Sequence, residues 1–417
     1  MDDSVSPDKQ PVEKSPNRVI EPDKTGFIAP ETVGENEDIL DVTATVNEKQ
    51  IDRQASFVHK PVPLPRWLQF SKKQWIIVGV VLILLVGGGA TYALTRKSPP
   101  PKPVHHVLTA PKKVTAPTPT IVPSTLTGLP VSPSVNALPV TAVMVENSTF
   151  ARPQSGLDQA GVVFEAIAEG GITRFVALFQ DTSPAYIGPV RSIRPYYLSW
   201  LDGFDAIVAH VGGSPEAIHD LASWNIRDMN QSYYSSYFTR IGSRDAPHNV
   251  YTSIARLNAL ETSKGYTTST YTGFLRKAPS PSKSPDITTI NYDISYGAYN
   301  VQYKYNATDN DYERFEGGAP HMEVDQAGKQ TQIAPKVVVA MIMPNYMESD
   351  GLHNVYGTVG SGTTYVFQDG TVTLGTWKKT GNDAQITFTD ANGKPIRLDD
   401  GYTWLTALGQ KNEVTYN

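Results

Sequence analysis

The stretch "WIIVGVVLILLVGGGATYAL", residues 75–94, constrains this chain more than any other feature, because it runs for twenty residues without a charge. At about 1.5 Å rise per residue, a helix of that length spans roughly 30 Å, the thickness of a bilayer core. Trp75 and Tyr92 lie near its ends, where amphipathic aromatics favour the membrane interface. Seventy-four residues precede it, which does not suit a cleavable signal peptide. A buried core helix is the alternative, and so long an uncharged run argues against it. The expectation is one transmembrane helix.

Flanking charge does not orient it. Arg66, Lys72 and Lys73 stand on one side, and Arg96, Lys97 and Lys102 on the other. The tails differ more. Residues 1–53 hold thirteen acidic residues against six Lys or Arg, with few large apolar side chains. Residues 1–74 therefore read as a disordered acidic tail with a basic juxtamembrane end. Residues 98–135 hold ten prolines, and no acidic residue occurs between Arg96 and Glu146. The segment 95–137 reads as a semi-extended, purely basic Pro/Thr-rich linker. Such a spacer suits a domain standing off a bacterial surface near anionic lipids and polymers. The expected placement is the bacterial cytoplasmic membrane, single-pass, N-terminus inside and C-terminal domain outside.

A net charge of −5 over 417 residues argues against a general nucleic-acid binder, so no nucleic-acid partner is expected. The absence of cysteine removes disulfides, thiol catalysis, Cys-ligated zinc and lipid attachment through a thioether.

From about Leu138 the composition becomes that of a folded domain. "PVTAVMVEN" reads as a buried strand, and "VVFEAIAEGGITRFVALFQ" as two strands around Gly170-Gly171, with a helix the alternative for its first half. "YYLSWLDGF" after Pro195 suits a short helix. "FDAIVAHVGGSPEAIHDLASW" follows as strand, glycine turn and helix, and "TSIARLNALETSKGY" as a capped helix ending at Gly265. Strands alternating with helices predict an α/β N-terminal subdomain over residues 138–275. "RKAPSPSKSP", residues 276–285, reads as a linker. Beyond it, "VVVAMIMP", "TTYVFQDGTVTLGTW" and "QITFTDANGKPIRL" carry turn pairs between apolar runs, so 286–417 is expected to be a mainly β subdomain.

Several residues could carry chemistry. "GPVRSIRPYY" holds Arg191 and Arg194 between Pro189 and Pro195, which stiffen the segment. Guanidiniums held so suit a planar anion, or they pair with carboxylates of the same domain. In "HVGGSPEAIHDL", Ser214 fits an N-cap, Pro215 the first helical position, and Glu216 the first turn. With His210 just before it, that helix start can take an anion on its free N–H groups or simply be a well-made helix start. Ser214 is a poor nucleophile candidate, because Glu216 replaces the second glycine of G-x-S-x-G and Pro215 offers no N–H. Glu165 and Glu169, four apart, share a face in a helix and in a strand. They could divide acid and base roles on a sugar polymer, or pair with Arg174, Arg191 or Arg194. "SRDAPHNVYTS" gathers Arg244, Asp245, His248 and Asn249 into one loop. Histidines at 210, 248, 321 and 353 are too dispersed for a metal motif, so no metal and no cofactor is expected.

Together, "ARPQSGLDQAGVVFEAIAEGGITRFVALFQ", "IGPVRSIRPYYLSW", "HVGGSPEA", "DAPHNVYTS", "GGAPHMEV" and "YVFQDGTVTLGTW" closely resemble the YerB-like family, domain of unknown function 3048, over roughly residues 126–410. The resemblance implies an exported, membrane-held protein in two parts, often a lipoprotein. Here residues 75–94 would replace the lipid. It brings no catalytic residues. The expected function is a membrane-anchored, surface-exposed protein that binds an anionic envelope ligand, such as a wall polymer bearing phosphate or carboxylate. The alternatives are a hydrolase or transferase on such polymers, with Glu165, Glu169 or His248 as acid or base, and a scaffold for other envelope proteins.

Overall fold

Alternation along one strand sets the architecture. In Thr141–Glu146 (β1), Ala142 and Met144 face one core, whereas Val143 and Val145 face another. A strand buried on both faces must lie inside a sheet that is covered on both sides. The computed structural model describes residues 120–417, and that is what it shows. The tail 1–74, the span 75–94 and most of the linker 95–137 lie outside the described residues. Among the described residues, no helix is long and apolar enough to cross a membrane.

The central sheet has ten strands. In chain order they include β1, then Val162–Glu169 (β2), Ile172–Phe179 (β3), Ile207–His210 (β4) and Asp228–Asn230 (β5). After residue 286 it continues with Val337–Ile342 (β6), Gly360–Gln368 (β7), Thr371–Lys379 (β8), Thr387–Asp390 (β9) and Thr403–Leu408 (β10). The spatial order is β9-β8-β7-β6-β10-β2-β3-β1-β4-β5. Strand β10 pairs in parallel with both β6 and β2, joining Thr403 to Val162 and Thr406 to Glu165. Strand β3 runs antiparallel to β1 and to β2, and β4 and β5 run parallel to β1. The C-terminal ends of β1, β2, β4 and β5 therefore share one edge.

One face is covered by the helices Pro195–Asp202 (α1) and Pro215–Ser223 (α2), through Tyr197, Trp200, Leu201, Ala217 and Leu221. The other is covered by the helix Ile254–Lys264 (α3), through Leu257 and Leu260, and by a five-stranded antiparallel sheet. That second sheet includes Thr289–Tyr292, Val301–Asn306 and Asp311–Glu316, whose Ile290, Tyr303 and Tyr312 enter the same core.

Local signals are in place where the sequence puts them. Ser214 caps α2 by accepting from the Ala217 amide at 3.3 Å, with Pro215 at the first position. Ser253 caps α3, which ends on Gly265 in the left-handed region (φ 74°). The described residues are nonetheless mostly strand with few helices, so the α/β character expected for 138–275 rests on three short helices. The segment 276–285 lies between α3 and Thr289–Tyr292, the next strand, which belongs to the five-stranded sheet. Arg276 and Lys277 pair in parallel with Leu398 and Asp399, and the Ser280 and Ser282 amides donate to Asp369.

Candidate functional site

The shared C-terminal edge carries most of the charged side chains singled out in the sequence. Its key local feature is a β-bulge in β2. Ile167 faces Thr173 and Glu169 faces Ile172, so Ala168 is extra. A bulge reverses the alternation beyond it. Glu165 and Glu169, expected on one face, therefore lie on opposite faces. Glu165 points to the five-stranded sheet, and Glu169 shares the α1 face with Arg174.

Glu169 is held by two arginines. Its Oε1 lies 2.5 Å from Arg174 Nη2, and its Oε2 lies 3.0 Å from Arg194 Nη2. Burial pushes the Glu169 carboxyl up, and Arg174 with Arg194 outweigh it, leaving Glu169 below the ordinary carboxylate range. Burial, then Arg174, draws Arg194 down, against the pull of Glu169. Arg194 donates its Nη1 to its own neighbour Ile193 O at 2.7 Å, but its buried Nε has no partner.

Arg191 turns to a different carboxylate. Residues 187–193 lie along the sheet edge, with Val190 bridged to Val145 and Ile193 to Gly213. Gly213 is needed there, because a Cβ would stand 2.7 Å from Ile193 Cγ2. Arg191 Nε is 3.3 Å from Glu146 Oε1, and His248 Nδ1 is 2.9 Å from the same oxygen. Ser148 Oγ lies 3.3 Å from that Nδ1, and Glu146 Oε2 is buried without a partner. Glu146 ends a strand that the sequence shows clearly, yet nothing in its spacing marks it as a site residue.

His210 is fully buried, with Nδ1 2.7 Å from Gly212 O and Nε2 2.7 Å from Asp228 Oδ1, so it fixes the turn before α2. Arg244 donates to Phe150 O and Pro153 O at 3.0 and 2.6 Å and pins that loop. Neither belongs to an open site.

An open cleft of about 650 Å³ lies between α1, α2 and the loop 348–358. Arg194, Ser214 and Glu216 line it, as do Asp220, Glu348 and Asp350, which sequence reading left out, and His353, which it set aside as a dispersed histidine. Arg194 is at the floor, with its side chain 9% exposed. Carboxylates crowd the rim. Burial, then Asp220 and Glu348, push Glu216 up. A hydrogen bond from His353, then the Leu352 and His353 amides, draws Asp350 down to about 2. Glu348, Asp350 and His353 each bring one ligand atom within 4.8 Å of the others, a spacing that could hold a cation. The signal for this loop is the polar run "ESDGLHN", whose histidine looks isolated in the sequence. Replacing Ser214 with alanine should lower stability by about 1 kcal/mol through loss of the cap, measurable by urea unfolding.

Glu165 does not reach the cleft. It is fully buried and accepts from Arg314 Nη2 at 2.9 and 3.0 Å, and from the Trp404 indole at 2.9 Å. Arg314 also donates to Glu316 at 3.1 Å and to His321 Nδ1. Burial, then Arg314 and Arg152, hold His321 well below its usual range, so its ring is neutral and its Nε2 donates to Gln154 at 2.9 Å. Gln154 and Arg152 in turn bind Asn147, and Arg152 meets Glu316 at 3.1 Å. This network ties the five-stranded sheet to the central one. It is structural.

Residues 126–267 match the N-terminal domain, and residues 290–405 the C-terminal domain, of the family described as Protein of unknown function (DUF3048). The chain is similar to a Bacillus subtilis (strain 168) protein named "Putative lipoprotein YerB", with 33% identity over 288 residues, covering 68% of this chain and 85% of that protein. The crystal structure of the YerB protein from Bacillus subtilis is similar with a TM-score of 0.63 and 30% identity, covering 71% of this chain and 99% of that one.

Proposed function

The chain belongs to the DUF3048 family, and from that premise we propose that it is a membrane-held, surface-exposed binding protein for an envelope ligand with an acidic group. The observation that carries this reading is Arg194, buried at the floor of an open cleft with an unpartnered Nε. Ser214, at the start of α2, stands beside it. The carboxylates at the rim refine the ligand. A bare polyanion is repelled by Glu216, Asp220, Glu348 and Asp350, so the ligand sets a carboxylate or phosphate on Arg194 and an ammonium, or a bound cation, at the rim. Wall polymers that bear both charges have that character.

The name of the Bacillus relative supports a membrane location. None of the 417 residues is a cysteine that could carry a lipid, which favours residues 75–94 as the anchor, with the N-terminus inside. A test is calorimetric titration of the full chain in detergent with soluble wall fragments. Arg194→Lys keeps the charge and loses the planar fork, so affinity should fall about tenfold, near 1.4 kcal/mol, with little change in melting temperature. Equal binding by both proteins would remove Arg194 from the site.

A second reading, hydrolysis or group transfer on such polymers, is favoured by the Glu146–His248 pair. A buried carboxylate on Nδ1 orients the ring and leaves Nε2 as a base, the arrangement used to activate water or a hydroxyl. Turnover of wall fragments that His248→Ala abolishes would establish it.

A further inference from the structure

At the sheet edge opposite the arginine site, the start of β1, the end of β3 and one face of α3 line a half-open cavity of about 540 Å³. Leu138, Pro139, Phe179, Ile254 and the Tyr266 ring give it apolar walls. Two carboxyl groups interrupt them. Glu261 is 1% exposed and accepts from the Thr141 hydroxyl at 2.7 Å, yet its Oε2 has no partner. Asp181 accepts from the Thr127 hydroxyl, and its buried Oδ1 also has no partner. No Lys, Arg or His lines this cavity. The nearest cation acting on Glu261 is Arg227, which is committed to Asp205 at 2.8 Å.

Orphaned buried acceptors are rare, because each forfeits its hydration without compensation. Here two of them share an apolar pocket lined by two aromatic rings and by no cationic side chain, with Arg276 acting on Asp181 and Arg227 on Glu261 from outside it. That combination is complementary to an ammonium group on an apolar body, with carboxyls to receive the N–H donors and π faces to take the cation. We propose that this cavity is a binding site for a small organic ammonium ion of about the size of benzylammonium, distinct from the arginine cleft.

Burial raises the Glu261 carboxyl, while the Thr141 hydroxyl and Arg227 act against it, so a bound ammonium favours the carboxylate and releases the proton to water. Thr141 on β1 and Arg227, just before β5, are the groups acting on it beyond its own helix, and Asp181 is the other acid of the cavity.

The test is titration of the full chain in detergent with benzylammonium, with benzyl alcohol as the uncharged comparison. Benzylammonium should bind at least about tenfold tighter than the alcohol, and tighter as pH rises through the Glu261 transition. Glu261→Gln should weaken it by about tenfold and abolish the pH dependence. Thr262→Arg, at an exposed wall position, places a tethered guanidinium at the cavity and should also displace the ligand, which keeps the test open if Glu261→Gln does not fold. Equal affinity for amine and alcohol, or unaltered binding in folded Glu261→Gln or Thr262→Arg, would overturn the proposal.

Discussion

Replacing Arg314 by methionine should destabilise the domain by about 3 to 5 kcal/mol, because it strands the buried carboxylate of Glu165. Arg314 is fully buried, sits 4.6 Å from the Trp404 ring centroid, and is the ion-pair partner of Glu165. Glu316 retains Arg152 at 3.1 Å, whereas Glu165 would keep only the Trp404 and Thr406 donors. The penalty comes from the uncompensated charge more than from the lost bonds. Removing both partners, as Arg314→Met with Glu165→Gln, should therefore recover part of the loss. Denaturant unfolding of the single and double variants checks this. A single-variant loss below about 1 kcal/mol would mean that the network does not hold the two sheets together.

Glu323→Gln should have a large effect that depends on pH. Glu323 is buried, and its Oε2 accepts from the Leu157 and Asp158 amides at 2.7 and 3.0 Å. Burial, then the adjacent Asp158, push its carboxyl from an ordinary 4.5 to about 9. The folded chain thus keeps a proton that the unfolded chain gives up. Its contribution is fully present below the unfolded pKa and is lost as pH rises from about 4.5 to about 9. The slope for one proton is at most about 1.4 kcal/mol per pH unit. A glutamine accepts from the same amides and never ionises, so Glu323→Gln should be the more stable protein at pH 8 and nearly equal to the parent at pH 4. Melting curves across that range read the difference directly. Parallel curves for the two proteins would place the titration elsewhere.

Much of the local structure is legible in the sequence. Ser214-Pro215, the Ser253 to Gly265 helix, the Gly170-Gly171 turn and the Asp369-Gly370 hairpin follow from residue chemistry within a few positions. The union of the two halves in one sheet does not. It depends on β10 pairing in parallel with β2 across some 240 residues of chain, shown by Thr406 opposite Glu165. A parallel ladder needs no connecting turn, so no local signal announces it. The site is legible to the same extent. Pairing of Arg194 with Glu169 follows from charge and proximity in the chain, whereas the separation of Glu165 from Glu169 depends on the one-residue bulge at Ala168. The partner of Arg191 is Glu146, at a strand end that looks purely structural. Asp350 and His353 reach the cleft only because a loop some 150 residues beyond Arg194 folds back over α1.

The central claim is that an acidic group of an envelope ligand occupies the cleft floor at Arg194. A crystal structure of residues 120–417 with a bound wall fragment tests it most directly. The account predicts a carboxylate or phosphate oxygen within about 2.7 to 3.2 Å of a guanidinium nitrogen of Arg194, with the cationic part of the fragment toward Glu216 and Asp350. A fragment bound elsewhere, with no contact to the Arg194 guanidinium, would contradict it.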